Sequence, residues 1–470
     1  MRVIQKVEQR FGAAEGTMLG MICVVIVKAI GALYKIPLCN LLGGYAVGLY
    51  QMIFPVFSIM LVLSGSGVPL ALTKLISSGY DGKETLKKSL LVFSACGLFF
   101  TLVLFFFGKN IAQLQGNIQA KKLYKAISPS VFLVSQIACF RGYFQGKSNL
   151  KPTAFSQVIE QVVKCVIGTI AAYFLPVGNV EKAFYACIAV TVSEIFALMY
   201  FIVLYIKKLK NENAKKSDLQ TNLKKDEQDA FEQGTIPTYK DIFVYVLPLT
   251  LTALSLPIAA ICDSFIAINV LKKSFGERAT ELYGLYGGAV ETIIGLPSAA
   301  LMCFATGVLP KMNKEKNGDL IALKVTFVLS ALCAVFVAIF PSFIVKLLFG
   351  GLKNKELLIK MLRVSAINIV MLCLLQTSSA VMLSKGKQKV SCIFTTVGAG
   401  FKILLDFLLI PLPEINIFGL IISDFGCYFL ALSLNILYIY KVNTVKRKQS
   451  YENNADRFGR RLGRSIDKST

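Results

Sequence analysis

No histidine occurs anywhere in the 470 residues. That absence removes Ser-His-Asp and Cys-His catalysis, together with histidine-ligated metal sites. The twelve cysteines form no Cys-x-x-Cys pair, and nearly all of them, Cys23, Cys96, Cys165, Cys262 and Cys373 included, fall inside apolar runs. Cysteine in such surroundings behaves as a small hydrophobe, so neither a zinc site nor a disulfide framework is expected. There is also no Gly-x-x-x-x-Gly-Lys-Ser/Thr loop, which argues against ATP-driven work by this chain alone. No catalytic constellation remains, so the chain does not read as an enzyme, and no cofactor or metal is expected.

Charge is scarce too. Only 17% of residues are charged and 55% are hydrophobic, whereas about a quarter are charged in an ordinary soluble domain. The mean hydropathy is +0.63. What is present is a series of long, continuously apolar runs, each able to cross roughly 30 Å of hydrocarbon as an α-helix. They do not alternate, which argues against a β-barrel. The runs predict an all-α polytopic membrane protein with about twelve transmembrane helices. In the first half these lie at 17–41, 49–76, 89–107, 124–142, 152–176 and 183–206. In the second half they lie at 241–270, 284–309, 319–349, 356–385, 388–411 and 416–441.

The net charge of +24 would suggest nucleic acid in a soluble protein. Here the lysines and arginines cluster on alternate connections between apolar runs. That is the topogenic bias of a membrane protein, so no nucleic-acid partner is expected and both termini are placed in the cytoplasm. The longest polar stretch, 207–240, reads as a charged cytoplasmic linker. It divides the chain into an N-terminal six-helix lobe, 1–206, and a C-terminal six-helix lobe, 241–441, followed by a basic tail, 442–470. That tail either meets anionic membrane lipids or is simply solvated. A faint repeat supports two lobes: Gly65-Ser66-Gly67-Val68-Pro69 is similar to Ala305-Thr306-Gly307-Val308-Leu309-Pro310, and Gly146-Lys147 to Gly386-Lys387.

Ionisable side chains inside an apolar span are expensive and mark candidate sites. Lys28 and Lys35 lie seven residues apart on nearly one face of the first helix, where two cations suit an anionic headgroup such as a pyrophosphate. Each could instead pair with a carboxylate or reach the interface. Glu160 and Lys164 lie four apart, as a local ion pair or as cavity residues. Arg141, next to Gly142-Tyr143-Phe144-Gln145-Gly146, could grip a phosphate or be a topogenic charge. In the second half Asp263, Glu291, Asp406 and Asp424 fall within spans. Asp263 and Glu291 are the candidates for coupling or gating; Asp406, four residues after Lys402, reads as its ion-pair partner. Gly31 and Pro37, Pro55 and Pro69, and Pro248 and Pro257 are expected to interrupt the first, second and seventh helices.

These residues also carry a resemblance. Lys28-Ala29-Ile30-Gly31-Ala32-Leu33-Tyr34-Lys35-Ile36-Pro37-Leu38, Gly48-Leu49-Tyr50-Gln51-Met52 with Pro55, and Arg141-Gly142-Tyr143-Phe144-Gln145-Gly146 resemble the stage V sporulation protein B and polysaccharide exporter family. So do Ser156-Gln157-Val158-Ile159-Glu160-Gln161, Pro248-Leu249-Thr250 and Asp263-Ser264-Phe265. The resemblance covers most of the chain and is strongest over 28–165. It implies the fold of the MATE antiporters and MurJ-type lipid II flippases, with alternating access between two lobes. It also implies basic residues contacting a lipid pyrophosphate, at Lys28 and Lys35. Many members have two more C-terminal helices than are counted here. The expected function is a flippase for a polyprenyl-pyrophosphate-linked saccharide, such as a peptidoglycan precursor, in the bacterial plasma membrane, serving sporulation or cell-wall synthesis. Arg141 and Lys164 join the pyrophosphate site, and Glu160 joins Asp263 and Glu291 in coupling or gating. The expected partners are a lipid-linked oligosaccharide, membrane lipids and envelope-synthesis enzymes. Two other readings are a cation-coupled multidrug antiporter of MATE type, and a membrane scaffold that recruits envelope synthases.

Overall fold

The computed structural model describes the backbone of residues 2–220, 235–312 and 318–466. It describes side chains over 26–27, 29–212, 235–251, 253–254, 257–301 and 318–442. Within these residues the chain is helical almost throughout. There is no strand, only an isolated bridge between Tyr80 and Thr235. The first half contains α1 (Arg2–Leu61), α2 (Val68–Ser77), α3 (Gly82–Leu114), α4 (Lys121–Gly146), α5 (Lys151–Phe174) and α6 (Asn179–Gln220). The second contains α7 (Tyr239–Ala253), α8 (Ser255–Phe275), α9 (Arg278–Gly284), α10 (Glu291–Met312), α11 (Gly318–Ile339), α12 (Pro341–Leu348), α13 (Lys355–Ser384), α14 (Gln388–Leu409) and α15 (Phe418–Ile466).

Nine helical stretches among the described residues are long and apolar enough to cross a bilayer, and the first, Ala29–Ser77, holds two crossings. Its chain turns at Gly43, whose φ of 75° and ψ of 165° only glycine adopts readily. Cys39 and Val47, on either side of that turn, both close on Gly288, so the two limbs of α1 fold back as a hairpin. Three further crossings are divided: in the second, α1 passes into α2 through a π-helical turn, Val62–Ser66, and Gly67. α7 and α8 meet at Leu254, and α9 passes into α10 through a π-helical turn, Leu285–Val290. The crossings thus follow the apolar runs. The most apolar of them, α3, is among the least buried and presents Leu91, Leu98, Phe99 and Phe106 outward. The less apolar α4 is mostly buried. Apolar residues outside and polar contacts inside are what a lipid solvent favours.

Several expectations change. The 42–48 connection is helical except at Gly43, and Gly31, Pro37 and Pro55 do not interrupt α1. Membrane helices hold proline when neighbouring groups satisfy the freed backbone. Prolines do flank a break in the seventh crossing, where Pro248 and Pro257 lie on either side of Leu254, and Pro69 opens α2 just after the π-helical turn that divides the second crossing. The stretch beginning at 207 continues α6 to Gln220, and α15 runs past 442 to Ile466. The lysines of the first stretch and the arginines and lysines of the second are good helix formers and extend a helix beyond its apolar span.

Packing places the site. Helices α1 and α3–α6 pack among themselves, as do α10, α11 and α13–α15. The halves meet chiefly at the end of the bundle that carries Gly43. There α1 crosses α9 at a glycine seam: a Cβ on Gly48 would lie 1.9 Å from the Thr280 carbonyl oxygen, and one on Gly284 2.2 Å from that of Gly44. Polar caps surround the seam. Gln115 donates to the Met52 carbonyl at 3.0 Å and to Ser264 Oγ at 3.2 Å, and Asn117 donates to Tyr45 Oη at 2.9 Å and Thr280 Oγ1 at 3.0 Å. On the opposite side α7 packs on α2, where Gly67 closes on Thr250.

Candidate functional site

The polar interior consists of two charged clusters, one in each half, with a lysine and a glutamate between them. In the first half α4 supplies Arg141, α5 supplies Glu160 and Lys164, and α6 supplies Glu194. Arg141 Nη2 donates to Glu160 Oε2 at 3.0 Å, and its Nε donates to Ser156 Oγ at 3.3 Å. The spacing allows a Glu160–Lys164 pair, but arginine from the neighbouring helix takes the carboxylate instead. Arginine's planar fork matches carboxylate and hydroxyl together, which lysine cannot do. Glu194 is buried within electrostatic reach of Glu160, Arg141 and Lys164. Lys164 makes no ion pair among the described residues, although Glu160, Glu194 and Lys35 all lie within its field.

In the second half Lys402 of α14 is buried. Its ammonium contacts Asp263 of α8 and, at 3.0 Å, Asp424 Oδ1 of α15. Asp424 Oδ2 accepts from the Tyr286 hydroxyl of the π-helical turn. Asp406, one turn beyond Lys402, is not its ion-pair partner: it is fully buried, and neither carboxylate oxygen has a hydrogen-bond partner. The expectation of a local Lys402–Asp406 pair therefore fails. Three helices converge here, and residues on other helices approach the ammonium more closely.

Lys35 and Glu291 lie between the clusters. Lys35, on the first limb of α1, is half-buried and makes no ion pair among the described residues. It lies within electrostatic reach of Lys164 in one half and Glu291 in the other. Glu291, at the start of α10, is exposed although protein surrounds it, with Lys35, Asp424, Lys402 and Asp263 all acting on it. An exposed side chain so placed faces an interior space that admits water. The space presents Lys35, which has no ion pair among the described residues, within reach of the Glu291 carboxylate. Its chemistry suits an anionic headgroup at Lys35 and Lys164, or a cation at Glu291.

The structure thus brings Arg141, Glu160 and Lys164 together, puts Asp263 in the opposite cluster, and sets Lys35 and Glu291 between. The Lys28 side chain lies outside the described residues. Glu194 was missed by sequence reasoning, although a lone carboxylate within an apolar run was signal enough. No group of three or more Cys, Asp or Glu side chains placed to hold a metal ion occurs among the described residues.

A sequence profile of the family described as "Polysaccharide biosynthesis protein" matches residues 13–315. Stage V sporulation protein B of Bacillus subtilis is 28% identical over 316 residues, which are 64% of this chain and 58% of that relative. The chain therefore aligns with little more than half the length of that relative. Lipid II flippase MurJ of the same organism is 22% identical over 480 aligned positions, covering 93% of this chain and 83% of the relative. Among solved structures, the inward-facing conformation of a multidrug resistance MATE family transporter of the MOP superfamily superposes with a TM-score of 0.67. It has 16% identity and covers 91% of this chain and 99% of that one. The fold is therefore that of the MATE transporters.

Proposed function

The chain belongs to the polysaccharide biosynthesis protein family, and from that premise we propose that this multi-pass membrane protein is a flippase. Its substrate is a polyprenyl-pyrophosphate-linked saccharide of the lipid II type, carried from the inner to the outer leaflet of the bacterial plasma membrane by alternating access. The observation that carries the reading is Lys35, a cation with no ion pair among the described residues, set between the two halves with Lys164 nearby. Holding an ammonium without an ion-pair partner inside a membrane protein is costly, and an arriving anion offsets that cost. The similarity to stage V sporulation protein B and to lipid II flippase MurJ supports an envelope precursor as cargo. Lys28, Lys35 and Lys164 neutralise the pyrophosphate in turn. Arg141, already engaged by Glu160, exchanges that carboxylate for a phosphate or stays as its anchor. Asp263, Glu160 and Glu291 couple or gate the movement. With both termini in the cytoplasm, the glycine seam closes the outer side of the site, and the tail beyond 442 faces the enzymes and lipids of the inner leaflet.

Binding tests this directly. Purified full-length protein is titrated with a short-chain polyprenyl pyrophosphate. Lys35→Ala weakens the affinity by roughly tenfold or more, the loss expected for one charge-assisted hydrogen bond, and Lys35→Arg keeps most of it. Equal affinities for wild type and Lys35→Ala remove the pyrophosphate reading. One observation favours a second reading: Glu291 is exposed in the same space, which suits a cation-coupled multidrug antiporter of the MATE kind. That reading requires organic cations to bind and Glu291→Gln to abolish their binding.

A further inference from the structure

The Lys402 cluster carries more charge than its contacts satisfy. Three carboxylates, Asp263, Asp406 and Asp424, approach one ammonium. The ammonium is used on Asp263 Oδ2 and Asp424 Oδ1, and Tyr286 serves Asp424 Oδ2. What remains is an acceptor without a donor, Asp263 Oδ1, and both oxygens of Asp406, all buried. Asp406 is 0% exposed, and Asp263 lies close to it, with Lys402 and the Ser423 hydroxyl also within reach. An ionised carboxylate with no donor and a second carboxylate beside it is among the costliest arrangements an interior can hold. One added atom removes most of the defect. A hydrogen on Asp406 donates to Asp263 Oδ1, leaves the other Asp406 oxygen as a neutral carbonyl acceptor near the Ser423 hydroxyl, and leaves two carboxylates to one ammonium.

We propose that Asp406 and Asp263 share one bound proton, which makes the Lys402 cluster a proton-operated latch between α8 and the α14–α15 pair. The groups facing this proton are Lys402 on α14, Asp263 on α8, and Ser423, Asp424 and Cys427 on α15, with Tyr283 of α9 facing Asp263. Tyr286 in the π-helical turn lies one contact further out, and Glu291 on α10 is the next carboxylate. With the proton bound, α8 is held by the hydrogen bond as well as by Lys402. Without it, Asp263 and Asp406 repel one another across the joint, and α8 is released. α8 can respond separately from α7, because the crossing is broken at Leu254 and α7 packs on α2 in the opposite half, whereas α8 itself packs on α1, α9 and α14. Proton exchange at this site therefore changes how the two halves are tied. The role in coupling rests on the transport reading above, but the bound proton does not, so the test reads the proton without assaying transport.

Infrared spectra of the full-length protein in detergent at neutral pH are compared for wild type, Asp406→Asn and Glu291→Gln. The proposal expects a carbonyl band from a protonated buried carboxyl, lost in Asp406→Asn and kept in Glu291→Gln. The Asn amide donates to Asp263 Oδ1 as the protonated acid does, so this variant folds. Melting gives a second reading that does not depend on band assignment. The wild-type Tm falls as pH rises through the titration of the pair, Asp406→Asn flattens that dependence, and exchanging sodium for a bulky organic cation at fixed pH changes neither. A band unchanged in Asp406→Asn, or a wild-type Tm that follows sodium and not pH, overturns the proposal, the latter in favour of an alkali cation at these carboxylates.

Discussion

Removing the guanidinium of Arg141 leaves Glu160 and buried Glu194 facing each other without a full cation, since Lys164 stands beyond ion-pair distance. Breaking one side of a buried pair typically costs about 3–5 kcal/mol, and the partial exposure of both side chains puts this pair at the low end. Arg141→Ala is therefore expected to lower the Tm markedly in detergent, and adding Glu160→Ala to recover part of the loss. Equal losses in the single and double variants contradict the pairing. At this scale the sequence shows which ionisable residues fall inside the spans and says much less about their partners. A lysine or carboxylate within an apolar run announces itself by its cost, which is why Lys35, Arg141, Glu160, Lys164, Asp263 and Glu291 could be singled out. Partners depend on how helices rotate against one another. Spacing alone suggests Glu160–Lys164 and Lys402–Asp406, but the structure pairs Glu160 with Arg141 and Lys402 with Asp263 and Asp424.

Elements repeat this division. Long apolar runs locate the crossings, because length and hydropathy are properties of one segment. Breaks are decided by neighbours. Pro37 sits within an unbroken helix, whereas Gly43, with no proline beside it, turns the chain. The glycine seam between α1 and α9 is equally invisible in one segment, since Gly48 matters only through Thr280 and Gly284 through Gly44. Here the backbones themselves would have to move to admit a side chain. Gly48→Val is expected to cost about 1–3 kcal/mol, the usual range for overpacking, and to loosen that end of the bundle. Paired spin labels on the ends of α1 and α9 check this. A longer, broader distance distribution than in wild type is expected, and an unchanged one contradicts the seam as a closure.

For the whole molecule, the account requires an interior space between two halves, reached from one side of the membrane at a time. In a cysteine-free background, Glu291→Cys is expected to react with a membrane-impermeant thiol reagent applied from the cytoplasmic side, and to resist it from outside. The opposite pattern reverses the proposed orientation. Family and fold were readable at this scale, because the first-half segments around Lys28–Leu38 and Arg141–Gly146 stand in one covalent order. The distribution of charge between the halves was not, since it arises only when α8, α14 and α15 converge. The most direct measurement of the central claim is leaflet assignment of the lipid-linked precursor in cells depleted of their own flippases and expressing this chain. The account predicts that precursor reaches the outer face with wild type, and stays inside with Lys35→Ala at normal membrane levels. Precursor retained inside with the wild-type chain, or flipped equally well by Lys35→Ala, contradicts it.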